Sequence, residues 1–187
     1  MKKAEQIVRD YVPACVQEEK DRSQILHYFS VCNDLLTRKN TLLHFTASAW
    51  VMNPEHSKAL MVHHNIYNAW SWVGGHADGC GDLFEVACRE LAEETGLTSA
   101  RALSEEPVSL EMIGVQSHWR KGEYVAPHIH LNVTYLFEAE ENAPLRMKAD
   151  ENSGVMWRDV SAIRKDNTEP HMQKLYCKIM DKLKVQA

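Results

Sequence analysis

The spacing of apolar residues predicts helical segments at both ends of the chain. In residues 3–39, apolar side chains recur every three to four positions, which is the period of an amphipathic helix. Pro13 is expected to kink or divide this segment, because proline lacks the amide hydrogen that a helix interior needs. Near the other end, Pro170 begins a second apolar stripe that reaches Leu183. We expect the first segment to pack on the main body of the protein, and an interaction arm is the alternative.

Between these helical segments, the pattern changes to the short period that is typical of strands. Five stretches fit it: residues 42–52, 58–64, 108–118, 128–140 and 154–160. Strands with helices between and after them predict an α/β protein, in which a mixed sheet is covered by helices. We therefore expect a helical extension over residues 1–40 and one domain over residues 41–187.

Two of the predicted strands carry polar side chains on one face. His44 and Thr46 share a face in the first strand, and His128 and His130 share a face in the fourth. A strand that is covered on both sides should be apolar on both faces. The polar faces therefore predict the lining of a cleft, and an edge strand with one wet face is the alternative. If the two faces meet, they form a substrate pocket.

A third helix is predicted to begin after the cap residue Asp82 and to end at Gly96, with three acids in its last turns. Glu90, Glu93 and Glu94 lie three and four residues apart, so they share one face. The C-terminus of a helix carries partial negative charge, and acids placed there cost stability. Clustered carboxylates are ligands that Mg²⁺ and Mn²⁺ prefer. The three acids therefore indicate a metal site, because a bound cation would offset the stability that they cost. A solvated acidic face with helical ion pairs is the alternative.

Length and charge narrow the class of protein further. The 187 residues suit one domain with a small extension, and 44% of them are hydrophobic, which is ordinary for a globular protein. The net charge is −5 and no basic run stands out, so an extended nucleic acid or an anionic membrane is not the expected partner. The five cysteines form no C-x-x-C pair, which favours reduced thiols. No apolar run is long enough to span a membrane, and we expect a cytoplasmic protein.

The segment around the acidic helix resembles a known motif. Residues 75–97, GHADGCGDLFEVACRELAEETGL, resemble the box of the Nudix hydrolases, G-x5-E-x7-R-E-U-x-E-E-x-G-U, where U is a bulky aliphatic residue. The matching positions are Gly75, Arg89, Glu90, Leu91, Glu93, Glu94, Gly96 and Leu97. The chain departs from the box at Gly81, where the motif has glutamate. Asp82 and Glu85 are the neighbouring acids that could substitute for it.

The resemblance implies a fold and a set of site residues. The fold would be the Nudix α/β/α sandwich with a mixed sheet, and the N-terminal helices would lie outside it. Mg²⁺, or Mn²⁺ in its place, would be held by Gly75, Glu90, Glu93, Glu94 and the additional acid Glu151. Arg89 would orient the glutamates, and Glu90 would act as both ligand and base. Glu151 or a pocket histidine could share the role of base.

The resemblance also implies a reaction. The substrate would be a small-molecule diphosphate, usually a nucleoside diphosphate linked to another group, and the enzyme would hydrolyse the diphosphate. Trp119 is expected in a mobile loop over this substrate, and a homodimer is one option for the assembly. An isomerase similar to isopentenyl diphosphate isomerases is one alternative. A non-catalytic module that senses nucleotides is the other, and the departure at Gly81 motivates it.

Overall fold

The computed structural model describes residues 3–120, 122–166 and 168–185. The helices are α1 (Ala4–Asp10), α2 (Val16–Val31), α3 (Leu83–Thr95), α4 (Val160–Lys165) and α5 (Pro170–Val185). The strands are β1 (Leu43–Met52), β2 (Lys58–His64), β3 (Ala69–Ser71), β4 (Val73–His76), β5 (Arg101–Ala102), β6 (Ser109–Val115), β7 (His118–Arg120), β8 (Glu123–Val125), β9 (His128–Glu138) and β10 (Asn152–Asp159). Within the described residues, no helix combines the length and the apolar character needed to cross a membrane.

Most strands form one mixed sheet in the order β10-β2-β1-β9-β5. Three further strands extend it: β3 pairs with β2, β4 with β1, and β6 with β9. The central pair β1 and β9 is parallel, with Leu43 opposite Ile129 and Met52 opposite Glu138. The neighbouring pairs are antiparallel. The predicted mixed sheet is therefore confirmed.

Helices cover the two faces of this sheet. On one face, Phe84 of α3 packs its ring against Tyr135 of β9, with the ring centroids 5.3 Å apart. On the other face, Tyr176 of α5 packs against Trp50 of β1 at 5.5 Å. Side chains alternate between the two faces of a strand, so each central strand contributes to both layers. The predicted α/β/α sandwich is confirmed, with α3 and α5 as its outer layers.

The N-terminal helices are present, and Pro13 lies between α1 and α2 as predicted. The helical prediction is wrong for residues 32–39, where the chain is irregular. The carboxylate of Asp34 accepts hydrogen bonds from the amides of Leu36 and Thr37, each at 3.0 Å. Such a local bond offers the backbone an alternative to the helix. The boundary between residues 40 and 41 stays a prediction, and residues 1, 2, 186 and 187 of the two predicted segments lie outside the described chain.

Buried polar contacts attach α2 to the rest of the molecule. Glu18 is fully buried, and it accepts hydrogen bonds from Lys182 of α5 and from Ser109 of β6. Lys178 adds an ion pair with Glu18 at 3.0 Å. At the other end of α2, Phe29 stacks on Phe45 of β1. Helix α2 therefore packs on the main body, which was the favoured interpretation.

Candidate active site

The site begins at strand β4, whose glycines approach two neighbouring elements closely. Although Val73–His76 contains two adjacent glycines, it pairs with β1 as a strand. A Cβ atom added at Gly74 would lie 2.6 Å from Ser48 Oγ, and one added at Gly75 would lie 2.4 Å from the carboxyl carbon of Glu90. Only glycine permits these approaches. Gly75 therefore lies directly against the acidic helix.

The ends of α3 match the prediction. The side chain of Asp82 accepts hydrogen bonds from the amides of Phe84 and Glu85, each at 3.1 Å, so Asp82 is the N-cap. Gly96 ends the helix in the left-handed conformation with φ of 69°. The last turn contains no basic residue. Positive charge near the glutamates of this turn therefore comes from outside the turn, from Arg89 one turn earlier and from Lys148.

Two of these glutamates are buried together. Glu90 is 9% exposed and Glu94 is 6% exposed. Burial raises the pKa of Glu94 to about 8, and the neighbouring charge of Glu90 acts in the same direction. Burial also raises the pKa of Glu90, although Arg89 opposes this shift. The pair is therefore ready to gain stability from any cation that reaches it.

Arg89 connects the acids to strand β4. Its Nη2 atom donates to Glu90 Oε1 at 3.0 Å and to the carbonyl oxygen of His76 at 3.1 Å. Its Nε atom lies 4.0 Å from Glu93 Oε1. Because these contacts reach helix and strand together, Arg89 fixes the carboxylate of Glu90 beside Gly75.

A second group of charges lies where β10 begins. Lys148 contacts Glu93 at 3.2 Å and Glu151 at 3.1 Å, and Arg120 approaches Glu151 at 3.7 Å. Asn152 donates to Glu94 Oε2 at 3.3 Å. The structure thus brings Glu151 to the same region as the acids of α3, bridged by one lysine.

The donor set suits a hard divalent cation. An ionised carboxylate is costly to bury unless it is paired, and the polar partner of Glu94 in the structure is the neutral amide of Asn152. The other polar atom of that amide, Asn152 Oδ1, is buried and has no hydrogen-bond partner among the described residues. Clustered carboxylate and amide oxygens whose negative charge is not fully balanced are the ligands that Mg²⁺ and Mn²⁺ prefer.

The polar faces of β1 and β9 meet, because these strands are adjacent and parallel. His44 lies opposite His130, and Thr46 lies opposite Asn132, whose side-chain oxygen accepts a hydrogen bond from Thr46 at 2.9 Å. Strand β9 lies between β1 and β6, so the alternative of an edge strand is excluded. Four predicted pocket residues, His44, Thr46, His128 and His130, thus share one face of the sheet.

A fifth side chain, His76 of β4, joins these histidines. The rings of His44, His76 and His130 have centroids between 5.0 and 5.3 Å apart. Burial lowers the pKa of His76 to about 3 and that of His130 to about 2, and the neighbouring imidazoles add to both shifts. These rings are therefore neutral at neutral pH. If Val73–His76 is predicted as a strand, the alternation of its side chains places His76 on this face. The two glycines of this segment are not typical of a strand, so the sequence did not indicate it.

Trp119 lies in a different setting from the one predicted. It belongs to β7, which pairs with β8 in a two-stranded hairpin, so the expected loop is partly regular structure. The ring is 69% exposed and packs on Tyr124 with the centroids 5.7 Å apart. The adjacent His118 has its ring centroid 6.4 Å from that of His128. The hairpin therefore borders the histidines, and a contact between Trp119 and substrate stays a prediction.

Sequence reasoning missed Lys148 and Asn152. Neither belongs to a motif, and both lie far from α3 along the chain: Lys148 precedes β10, and Asn152 is its first residue. Their contacts with Glu93 and Glu94 arise only when β10 pairs with β2 at the edge of the sheet. No local pattern could have assigned them to the site.

The sandwich, the acidic helix and the glycine contact define a NUDIX protein. The family model of the NUDIX domain matches residues 42–179, and the chain belongs to this family of hydrolases that act on pyrophosphate bonds. Among curated proteins, none matches the chain significantly.

Solved structures share the fold at low sequence identity. The Ap4A hydrolase of C. elegans, in a binary complex, is 18% identical with a TM-score of 0.56, over 74% of this chain and 96% of that one. A NUDIX family hydrolase from Clostridium perfringens is 17% identical with a TM-score of 0.53, over 75% and 97%. The NUDIX domain of NrtR from Shewanella oneidensis, complexed with ADP ribose, is 18% identical with a TM-score of 0.52, over 74% and 87%.

Proposed function

We propose that the protein is a Mg²⁺-dependent pyrophosphohydrolase that cleaves a nucleoside diphosphate linked to another group. One observation carries the proposal. Two buried carboxylates, Glu90 and Glu94, meet the glycine strand at Gly75, and burial holds the pKa of Glu94 at about 8. Burying two carboxylates together is costly when they are ionised, and a bound cation would offset this cost.

Three oxygen-bearing segments would hold the cation. They are the carbonyl of Gly75, the carboxylates of Glu90, Glu93 and Glu94 on α3, and Glu151 before β10. A divalent cation bound there supplies Lewis-acid stabilisation of the diphosphate oxygens and acidifies a water molecule. Mn²⁺ has the same preference for oxygen ligands and is expected to replace Mg²⁺.

The side chains themselves position the reacting groups. Glu90 accepts the proton of the attacking water, because its raised pKa brings it closer to neutral pH and Arg89 fixes its orientation. Arg89 is a positioning residue in this scheme. Arg120 and Lys148, which pair with Glu151 and Glu93, provide positive charge at the rim that would bind phosphate oxygens of the substrate.

The adjoining polar faces of β1 and β9 would bind the nucleoside part of a substrate. The imidazoles of His44, His128 and His130 offer both flat rings and hydrogen-bonding nitrogens, and Thr46 lies beside them. Trp119 on the β7–β8 hairpin offers an exposed ring for stacking. Two structural neighbours are named with nucleotides of this kind, since one is an Ap4A hydrolase and the other is complexed with ADP ribose.

Two other functions remain as alternatives with less support. An isomerase would need an acid–base pair that includes a cysteine. The cysteine of this region is Cys80, but its thiol donates a hydrogen bond to the carbonyl of Asp82 at 3.4 Å, which gives the isomerase less support. A nucleotide-sensing module would use the same pocket without turnover, and Gly81 motivates this alternative. The homodimer and the cytoplasmic location also stay predictions.

A panel of diphosphate compounds separates these functions. The chain is incubated in Mg²⁺ with dinucleoside polyphosphates, nucleoside diphosphate sugars and isopentenyl diphosphate, and products are identified by mass. Hydrolysis to a nucleoside monophosphate and a second phosphorylated product is expected. Rearrangement of isopentenyl diphosphate without loss of phosphate would indicate the isomerase. Tight nucleotide binding without any turnover would indicate the sensor, and either result would overturn the proposal.

A further inference from the structure

Three histidines from three different strands converge on one point of the sheet. His44 of β1 lies opposite His130 of β9, and His76 comes from β4, which pairs with β1 on its other side. One ligand nitrogen from each of the three residues lies within 4.8 Å of the others. Three imidazoles at this spacing form a set of nitrogen donors that is distinct from the carboxylates of the proposed hydrolytic site.

The ring of His44 is oriented as a metal ligand would be. Its Nδ1 atom donates to the carbonyl oxygen of Asn40 at 2.9 Å, which leaves the lone pair on Nε2. The residue is 4% exposed, and Nε2 has no hydrogen-bond partner among the described residues. A hydrogen bond from one imidazole nitrogen to a backbone carbonyl is the usual support of a metal-bound histidine. The unpartnered nitrogen therefore points to a missing ligand.

His128 holds the ring of His130. Its Nε2 atom lies 3.1 Å from Nε2 of His130, and its Nδ1 atom donates to the carbonyl of Ala126 at 2.9 Å. This chain of contacts fixes the ring of His130 in the same way that Asn40 fixes His44. The rings of His44 and His130 are thus each held by a hydrogen-bonding group outside the three proposed ligands.

Because side chains alternate along β4, the three histidines and the acids of α3 lie on opposite faces of the sheet. Gly75 faces Glu90 of α3, whereas the next residue, His76, faces His44 and His130 on the opposite side of the strand. The donors also differ in kind, since imidazole nitrogen suits Zn²⁺, Co²⁺, Ni²⁺ and Cu²⁺, and carboxylate oxygen suits Mg²⁺. Position and chemistry both distinguish the two sites.

We propose that His44, His76 and His130 form a second metal site, which takes a first-row transition ion such as Zn²⁺. A tetrahedral zinc with Zn–N distances of 2.0–2.1 Å needs nitrogen atoms about 3.3 Å apart, so the rings close by about 1.5 Å or less when it binds. Three protein ligands leave the fourth position for water or for a group of a bound small molecule.

Zinc affinity of the full-length chain tests the proposal, measured by competition with a chromophoric chelator in excess Mg²⁺. His44→Gln and His130→Gln are each expected to weaken Zn²⁺ binding by at least about 10- to 100-fold, the range that loss of a mere supporting group produces. His27→Gln, an exposed histidine of α2, and Glu94→Gln, a carboxylate of the acidic cluster, are expected to bind as the wild type does. Equal affinity in all four variants would overturn the proposal, as would loss confined to Glu94→Gln.

X-ray absorption of the zinc-loaded wild type gives a second readout that no folding defect of a variant can affect. A shell of nitrogen at about 2.0–2.1 Å with multiple scattering from imidazole is expected. A sulfur shell at about 2.3 Å would place zinc on the free cysteines and refute the histidine site.

Discussion

At the scale of single residues, Gly75 connects the sheet to the acidic helix. Its backbone occupies the space beside the Glu90 carboxylate, where a Cβ atom would lie within 2.7 Å of both carboxylate oxygens. The same carboxylate accepts a hydrogen bond from Arg89, which in turn holds the carbonyl of the following residue, His76. A side chain at position 75 would therefore displace the proposed base from its partner.

We expect Gly75→Ala to lower kcat/KM by on the order of 100-fold, since a displacement of about 1 Å in a catalytic group has effects of this size. The kcat/KM values of the wild type and the variant are measured by steady-state hydrolysis of the best diphosphate substrate. Gly114→Ala is the matched control, because no described residue comes within 4 Å of a Cβ atom added there. If the two variants have the same activity, close contact at Gly75 has no catalytic value.

Gly81 occupies the position where the Nudix box has glutamate, and it has room for a side chain. The nearest atom to an added Cβ is Leu36 Cδ1 at 3.9 Å, and its φ lies outside the left-handed region. We therefore expect Gly81→Glu to tighten Mg²⁺ activation and Gly81→Ala to leave it unchanged. A Mg²⁺ titration of turnover compares the variants. Reduced activity in Gly81→Glu alone would mean that another acid already fills the role.

The residues of the site differ in how far the sequence reveals them. Arg89, Glu90 and Glu94 stand in a motif whose spacing is fixed by the helix, so their shared face is predictable. Lys148 and Asn152 reach the same carboxylates only through the pairing of distant strands. Their roles depend on tertiary structure, which no local pattern encodes.

At the scale of elements, the attachment of α2 depends on one buried carboxylate. Burial opposes ionisation of Glu18, but hydrogen bonds from Lys182 and the amide of Ala14, with the charge of Lys178, lower its pKa to about 2. These partners come from α5 and from the turn before α2. Glu18 therefore holds three separate segments together.

Glu18→Gln is expected to lower the free energy of unfolding by about 1.5–3 kcal/mol at neutral pH, because it removes the buried charge that pairs with Lys178 and Lys182, although Lys178 keeps Glu111 as a partner. The exposed neighbour supplies a control, since Glu19→Gln should change it by less than about 0.5 kcal/mol. Urea unfolding measures both. Equal stability of the two variants would contradict a structural role for the ion pairs.

The same carboxylate predicts a pH dependence. The pKa of Glu18 is about 2 in the folded protein against 4.5 for an unperturbed glutamate, so its contribution is present above pH 4.5 and is lost as the pH falls through 2. Wild type should lose more stability across this window than Glu18→Gln. Parallel stability curves for the two proteins would refute the lowered pKa.

Long strands were predictable and short ones were not. Strands β1 and β9 have alternating side chains over many residues, which gives a clear pattern. Strand β4 contains two glycines and has little intrinsic strand preference. It forms because Gly74 allows it to approach β1, and this contact is invisible in the local sequence.

At the scale of the whole molecule, the N-terminal helices and the sandwich share one hydrophobic core. Val8 of α1 and Ile25 of α2 are fully buried in the same cluster as Phe45 of β1 and Leu110 of β6. The segment outside the NUDIX match is thus packed as part of the fold. We infer that the helices and the sandwich unfold together.

Two spectroscopic probes report on different parts of the chain. All five tryptophans lie between residues 50 and 157, so their fluorescence reports on the sandwich, whereas circular dichroism reports on every helix. We expect the two urea transitions to coincide, as in a two-state protein. An earlier loss of helical signal, before any change in fluorescence, would show that the extension is a separate unit.

The Mg²⁺ dependence of turnover tests the metal-based mechanism most directly. Hydrolysis of the best diphosphate substrate is followed against Mg²⁺ concentration for wild type, Glu94→Gln and Glu105→Gln, an exposed loop acid. Turnover should vanish in a chelator and return with Mg²⁺. Glu94→Gln should be at least about 100-fold slower, which corresponds to about 2.7 kcal/mol, and Glu105→Gln should match the wild type. Undiminished turnover in the chelator, or in Glu94→Gln, would show that the buried acids do not form the catalytic metal site.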